Sequence, residues 1–169
     1  MKTTGKIVSF AALAAVAIGL FMFMKKEKIE LSSEGYIGKS EIAVEDGIMS
    51  PEALLAFGRM SDPQVSPDGK HILYGVSYTS VPENRSVRNL FICNIDGSDN
   101  QQLTISGKSL NNARWYNDGS GIYFLMQGQI WGGDIKVKNG KWELKDIYQL
   151  TDIKGGISEF EMSPDQKKF

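Results

Sequence analysis

The sequence has few of the residues on which small catalytic and metal sites usually depend. Its 169 residues include one cysteine and one histidine, which excludes an internal disulfide and any multi-cysteine metal site. No G-x-S-x-G sequence, glycine-rich phosphate-binding loop or cluster of metal-ligand residues occurs along the chain. We therefore assign no catalytic, cofactor-binding or metal-binding residue, and we expect no cofactor.

The sequence also lacks an excess of either charge. Lysine and arginine number 19 and aspartate and glutamate 20, which gives a net charge of −1. This balance argues against a nucleic-acid-binding protein that works through a broad basic surface. Hydrophobic residues make up 41% and charged residues 23%, values that exclude a disordered, collagen-like or multi-span membrane chain.

The first 24 residues differ in character from the rest of the chain. Residues 7–24 carry no charge, and as a helix at about 1.5 Å per residue they would span roughly 27 Å, close to the thickness of a bilayer core. Cleavage after the nearest small-x-small pattern, Ala17-Ile18-Gly19, would leave the apolar residues 20–24 at the new terminus. An uncleaved signal-anchor over residues 1–24 is therefore favoured, and a cleaved signal peptide is the alternative. Lysines flank the apolar stretch on both sides: Lys2, Lys6, Lys25, Lys26 and Lys28.

Two short segments connect this region to the remainder. Residues 25–48 are polar and are predicted to be a linker, with an N-terminal extension packed on the domain as the alternative. Residues 49–60 are predicted to contain a short helix with Ser50 as N-cap, Pro51 at the first helical position and Gly58 at the end. Its apolar residues are expected to pack on the element that follows: Leu54, Leu55 and Phe57.

From residue 61 to residue 169 the sequence indicates short strands and tight turns that repeat. The turn Pro67-Asp68-Gly69 has counterparts at residues 117–120 and 163–165, and the successive aspartates lie 50 and 47 residues apart. The pair Leu103-Thr104 recurs as Leu150-Thr151, again 47 residues later. Four short strands with a period of about 40–50 residues are typical of β-propeller blades. A β-sandwich is the alternative, but it does not account for the repeat.

The predicted fold is all-β, a partial propeller of about two four-stranded blades and the start of a third, preceded by the apolar N-terminal helix and the short helix. In the first unit, strands are predicted at 62–65, 71–78, 89–95 and 101–104. A polar loop over residues 79–88 is predicted to connect the second of these strands to the third. The second unit is predicted to have strands at 113–116, 121–126 and 129–137, with one or two more in 142–151. A third unit is predicted to start at 159–162 and to be truncated at residue 169.

The segment 61–69 (SDPQVSPDG), the following 70–74 (KHILY), 94–98 (NIDGS) and the lead-in from Met49 to Arg59 together resemble a known pattern. They are similar to the first blade of the prolyl oligopeptidase family of serine peptidases, above all its bacterial dipeptidyl-peptidase and acylaminoacyl-peptidase branch. The resemblance covers about residues 50–169, and the lead-in is its more specific part. Later copies depart from the pattern, because Asn117 replaces proline in the second turn and Gln166 replaces glycine in the third.

In that family the propeller caps a C-terminal α/β-hydrolase domain that carries a Ser-Asp-His triad. The resemblance implies that this chain is the N-terminal part of an exported, periplasmic serine peptidase, anchored to the membrane through residues 7–24. The propeller would control the access of short peptides to a catalytic domain beyond Phe169, and this segment alone should be inactive. The alternative is a non-enzymatic periplasmic propeller that binds a protein or peptide, like that of the Tol system.

Single residues add little chemistry to this hypothesis. His71 is expected at a surface or edge, and Cys93 is expected to be a small buried hydrophobic residue. Glu83 is a candidate for binding a substrate amine, although a solvated loop charge is favoured. Asn84-Arg85-Ser86 matches a glycosylation sequon, a short match that often arises by chance. Packing between blades explains the aromatic residues of the predicted strands: Trp115, Tyr116, Tyr123, Phe124, Trp131 and Trp142.

Overall fold

The computed structural model describes residues 27–42 and 47–168. The predicted apolar helix of residues 7–24 lies outside these ranges. Within them, no helix is both long and apolar enough to cross a membrane. The elements in chain order are β1 (Lys28–Ile29), α1 (Pro51–Ala56), β2 (Arg59–Val65), β3 (His71–Ser80), β4 (Arg85–Asn94), β5 (Gln101–Gln102), β6 (Asn111–Trp115), β7 (Gly121–Met126), β8 (Gln129–Lys138) and β9 (Lys141–Gln149).

The strands form two antiparallel sheets, which confirms the all-β class. The first sheet has the order β2-β3-β4-β5, and the second has the order β6-β7-β8-β9 with β1 added outside β9. Consecutive strands are neighbours within each sheet, as short turns between antiparallel strands require. The two sheets thus match the two predicted groups of four strands.

The largest hydrophobic core lies between the two sheets. Because successive side chains on a strand point to opposite faces, every second residue of the central strands enters this core. The first sheet contributes Leu73, Leu90 and Ile92, and the second contributes Ile122, Phe124 and Leu144. On the far face of the second sheet, Leu125 and Ile130 are covered by residues that follow β9: Ile157, Phe160 and Met162.

The predicted polar loop over residues 79–88 is wrong. Strands β3 and β4 continue through most of it in unbroken register, with Ser80 opposite Arg85, so the turn is confined to residues 81–84. The hydroxyls of Thr79 and Ser86 hydrogen-bond across the strands at 2.8 Å, while Val87 is buried. Polar composition favoured a loop, but the pairing of β3 with β4 makes all of these residues except the four of the turn part of the two strands. The predicted strand at 159–162 is not assigned as one, and β5 ends at Gln102 rather than at residue 104.

The lead-in helix begins as predicted and ends differently. The Ser50 hydroxyl accepts a hydrogen bond from the Ala53 amide at 3.1 Å, and Pro51 occupies the first helical position. The helix ends because Phe57 is extended, without a left-handed glycine. Helix α1 contacts β3 and buries Ala53, which turns Leu54 and Phe57 outward and overturns the expectation that they pack on the next element.

The repeat turns share one hydrogen-bonding geometry. The amides of Ser66, Tyr116 and Ser163 bond to the carbonyls five residues later, at 2.9, 2.8 and 2.9 Å. The fourth residue of each turn has positive φ, and it is Gly69 (72°), Gly119 (74°) and Gln166 (52°). The third turn therefore keeps the geometry of the other two, although it carries glutamine where they carry glycine.

The recurring Leu-Thr pairs also perform the same task in both sheets. Thr104 Oγ1 accepts a hydrogen bond from the Leu90 amide at 2.9 Å, and Thr151 Oγ1 accepts one from the Ile130 amide at 2.9 Å. Each threonine therefore accepts a hydrogen bond from the amide of a strand residue that lies just beyond the last pair with the next strand, β5 or β9. This role explains why the pair recurs 47 residues apart.

Residues 28–37, here called the strap, run across the outer edges of both sheets. Strand β1 pairs with β9 of the second sheet, and the Gly107 amide donates to the Ser32 carbonyl at 3.0 Å. Arg85 Nη2 of the first sheet donates to the Gly35 carbonyl at 2.6 Å, and Ile37 is buried. Residues 28–37, part of the predicted linker, thus lie against the folded sheets.

Candidate functional site

The first strands of the two sheets carry equivalent β-bulges that position charged side chains. In β2 the register shifts between Ser61 and Gln64, and in β6 it shifts between Asn111 and Arg114. The extra residues are Asp62 and Asn112, 50 residues apart, with φ of 54° and 48°. Because a bulge bends its strand and re-aims its side chains, these sites gather polar groups at one edge of both sheets.

Four of these groups form what we call the arginine cluster: Asp62, Arg88, Arg114 and Glu161. Arg114 Nη1 donates to Asp62 Oδ1 at 3.1 Å, and Arg114 Nη2 donates to Glu161 Oε1 at 2.8 Å. The Arg114 side chain is 18% exposed, so these pairs are partly shielded from water. Its bonds keep the pKa of the Glu161 carboxyl below the usual value, and the pKa of Arg114 is raised chiefly by Glu161. One guanidinium thereby joins three successive repeat units.

Arg88 enters the same region from β4. Its side chain lies across Gly75, where a Cβ would overlap the Arg88 guanidinium, and its Nη2 donates to the Ser61 carbonyl at 3.0 Å. Within the described ranges, the buried Nε of Arg88 has no hydrogen-bond partner. Burial lowers the pKa of Arg88, while the charge of Asp62 acts in the opposite direction. Asp62 therefore interacts with two guanidinium groups: it accepts a hydrogen bond from Arg114 and lies near the positive charge of Arg88.

This arrangement can hold the sheets together, and it contains no nucleophile paired with a base. The donors of Arg114 are already used by two carboxylates and by the Ala113 carbonyl, which leaves the guanidinium little capacity for a ligand. No group of three or more His, Cys, Asp or Glu residues that could hold a metal ion occurs in the part of the chain that the structure describes. The cluster was missed in the sequence because Asp62, Arg114 and Glu161 share no local motif; their spacings of 52 and 47 residues were the available signal.

The residues singled out in the sequence lie apart from one another. His71 begins β3, with Nδ1 3.8 Å from Asp68 Oδ1 and its ring edge-on to Trp142 at 4.8 Å. Glu83 lies in the turn at the other end of β3, exposed and paired with Arg85 Nη2 at 2.6 Å. Cys93 is buried as expected, and burial raises the pKa of its thiol, which makes it a poor nucleophile.

Comparisons with known proteins indicate a peptidase relationship. No protein-family model matches the sequence. The chain is 31% identical over 150 residues to dipeptidyl-peptidase 5 of Porphyromonas gingivalis, an alignment that covers 86% of this chain and 22% of that protein. It is 32% identical over 124 residues to dipeptidyl-peptidase 5 of Porphyromonas endodontalis, which covers 73% of this chain and 18% of that protein. The chain thus spans about a fifth of the length of these curated relatives, and the predicted resemblance to dipeptidyl-peptidases is confirmed.

Proposed function

Taking this relationship to dipeptidyl-peptidases as the premise, we propose that the chain is the N-terminal propeller portion of a longer serine peptidase. The complete protein removes dipeptides from the free N-termini of short peptides. The catalytic α/β-hydrolase domain is a separate part of that protein. This N-terminal portion forms part of the propeller that controls the access of peptides to the catalytic domain, and it has no peptidase activity of its own.

The observation that carries the propeller is the recurrence of one turn geometry. Turns with the same backbone hydrogen bond lie at residues 66–71, 116–121 and 163–168. The strands around these turns form two sheets packed face to face, one of four strands and one of four strands with β1 added, and the residues after β9 cover the far face of the second sheet. Radial repetition of such units is how propellers dispose of open sheet faces.

The share of the relatives that this chain covers supports a separate catalytic part. Alignment to 22% and 18% of the two dipeptidyl-peptidases leaves most of their length for other domains. The chain contains no G-x-S-x-G sequence and a single histidine, so a triad would have to be supplied elsewhere. In this arrangement the arginine cluster holds adjacent blades of the propeller together.

We also propose that the protein is exported to the periplasm and held at the membrane by residues 7–24. The uncharged stretch and its flanking lysines support this placement. Mass spectrometry of the N-terminus from membrane and soluble fractions tests it. An intact N-terminus in the membrane fraction is expected, and a cytoplasmic product would contradict the proposal.

The activity is tested on the complete product of the gene with dipeptidyl p-nitroanilides. Substrates with a free amine should be cleaved, whereas the same dipeptides with an acetylated N-terminus serve as matched controls and should not be. A serine-reactive fluorophosphonate should label and inhibit the complete protein and leave residues 1–169 alone unlabelled. Equal cleavage of free and acetylated substrates, or labelling of residues 1–169, would contradict the proposal.

A further inference from the structure

The strap leaves little chain between the sheets and the apolar N-terminal stretch. Strand β1 pairs with β9 from Lys28 onward, and Ile29 and Leu31 pack against the core between the sheets. The uncharged stretch ends at Met24, four residues before Lys28. Because an extended chain spans at most about 3.5 Å per residue, the Cα atoms of Met24 and Lys28 can be no more than about 14 Å apart. The part of the predicted linker that precedes the strap is therefore too short to act as a stalk.

This distance is comparable to the thickness of a lipid headgroup layer. A bilayer is about 40–45 Å thick with its headgroups and about 30 Å without them, so each headgroup layer takes about 5–8 Å. With residues 7–24 across the hydrocarbon core, as proposed above, Lys28 would lie within about 9 Å of the headgroups. The Debye length at physiological ionic strength is about 8 Å, so charges near the edge formed by β1 and β9 would interact with charged lipids.

The second sheet carries lysines at this edge, on the face that points away from the core. In β9, Leu144 faces the core, so the residues on either side of it face outward. The outward-facing residues of β8 and β9 stand opposite one another in three pairs: Asp134–Lys145, Lys136–Glu143 and Lys138–Lys141. Lys28 joins this group, because its Nζ and that of Lys136 both bond to the Asp146 carboxylate. We call these lysines the lysine face: Lys28, Lys136, Lys138, Lys141 and Lys145.

The lysine face is positive on an otherwise acidic chain. Its five lysines lie among three carboxylates, those of Asp134, Glu143 and Asp146, whereas residues 31–169 together contain 14 basic and 18 acidic residues. Lys138 and Lys141 are both exposed and stand directly opposite each other. Because like charges in this arrangement destabilise a strand pair, folding alone gives no reason for the pair, and an anion outside the chain does.

We propose that the lysine face rests on the anionic phospholipid headgroups of the membrane that holds residues 7–24. The inference rests on the membrane placement in the proposed function. The strap fixes the outer edge of the second sheet close to the bilayer, and the lysines bind the headgroups as juxtamembrane basic residues do. The protein thereby has one orientation, in which β6 and the arginine cluster, at the opposite edge of the second sheet, point away from the membrane.

The orientation is tested by fluorescence quenching of the complete protein in vesicles of phosphatidylcholine and phosphatidylglycerol that contain a lipid with a nitroxide on its headgroup. In a Cys93→Ser background, bimane is attached to Val137→Cys or, in a second variant, to Gln149→Cys; both residues are exposed and neither is charged. Asn111→Cys is the matched control, because Asn111 is exposed and begins β6, which lies three strand spacings from β9, or about 14 Å. Quenching at positions 137 and 149 should be at least twofold stronger than at position 111.

Charge reversal tests the contribution of the lysines. The double variant Lys138→Glu/Lys141→Glu should reduce quenching at position 137 at least twofold, and vesicles of phosphatidylcholine alone should have the same effect. Lys39→Glu/Lys167→Glu is the matched control, since it changes the total charge equally and affects two exposed lysines outside the lysine face. An equal reduction by both double variants would contradict the contact between this face and the headgroups.

Equal quenching at positions 111, 137 and 149 in membrane-bound protein would overturn the inference and leave the membrane placement intact. Recovery of the protein in the soluble fraction would refute both. Quenching is measured without a substrate, so the result does not depend on the proposed peptidase activity.

Discussion

Replacement of Gly107 by alanine should detach the strap from the sheets. The Gly107 amide donates to the Ser32 carbonyl at 3.0 Å, which brings the two backbones into close contact. A Cβ at Gly107 would overlap the Glu34 carbonyl oxygen, well inside the 3.0 Å that real Cβ atoms keep from a neighbour. Since that neighbour is backbone, no side-chain rotation can relieve the overlap, and the strap must move away.

The expected cost follows from the contacts that would be lost. Displacement of the strap breaks the Gly107–Ser32 hydrogen bond, worth about 1 kcal/mol, and strains the nearby bond from Arg85 to Gly35. Forced overpacking typically costs about 1–3 kcal/mol, whereas the lower entropy of unfolded alanine returns about 0.4–1 kcal/mol. We therefore expect the free energy of unfolding to fall by about 1–3 kcal/mol, with a urea midpoint lower by on the order of 1 M.

The assay combines urea unfolding of the full chain with hydrogen exchange of residues 28–37. Gly97→Ala is the matched control, because Gly97 has φ of 84° and nothing within 4 Å of its would-be Cβ. That variant should lose stability through backbone strain while exchange in the strap stays slow. The reasoning is refuted if Gly107→Ala keeps both the parent urea midpoint and the parent protection of the strap.

Three further results are expected. Lys136 and, to a lesser extent, Lys28 lower the pKa of Asp146 from 3.8 to about 2. Protection of the strap against hydrogen exchange should therefore be complete above about pH 4 and fall as the pH decreases toward 2. Asp146→Asn should remove this pH dependence. Thr104→Val should lower the free energy of unfolding by about 1–3 kcal/mol in urea titrations, because it leaves the buried Leu90 amide unpaired. Thr151→Val should have a loss of the same size, because it leaves the equally buried Ile130 amide unpaired, and an unchanged urea midpoint in both variants would contradict this reason. Arg114→Met should cost about 1–2 kcal/mol by the same titration, and a cost that did not decrease in 1 M salt would argue against ion pairing.

The parts of the fold that the sequence predicted are those that local chemistry determines. The recurring Leu-Thr pair is visible from its spacing alone, although its threonines bond to amides of a neighbouring strand. The turn at residues 66–69 and the N-cap at Ser50 act through their own or adjacent backbone. Their signals are therefore complete within a few residues. The turn and the Leu-Thr pair recur at nearly equal spacings, which indicated the number of strand groups before any contact was known.

The parts that were missed depend on contacts between distant residues. Residues 79–88 are polar in composition, and they become strand because β3 and β4 pair along their full length. The outward orientation of Leu54 depends on which helix face meets β3, and the route of the strap depends on Gly107, more than 70 residues away in the chain. The arginine cluster forms because two separate β-bulges, in β2 and β6, bring Asp62 to Arg114. No single segment of the sequence reveals this contact.

The position of Arg114 has a consequence for how the molecule unfolds. In repeat architectures each unit normally interacts with its nearest neighbours, so the stability is a sum of separate interfaces and the array can fray from its ends. Arg114 belongs to the second unit, yet it bonds simultaneously to Asp62 of the first unit and Glu161 of the third. Loss of either outer unit removes one of its charged partners and weakens its hold on the other. The single guanidinium thereby couples next-nearest neighbours, and three repeats should unfold as one cooperative block.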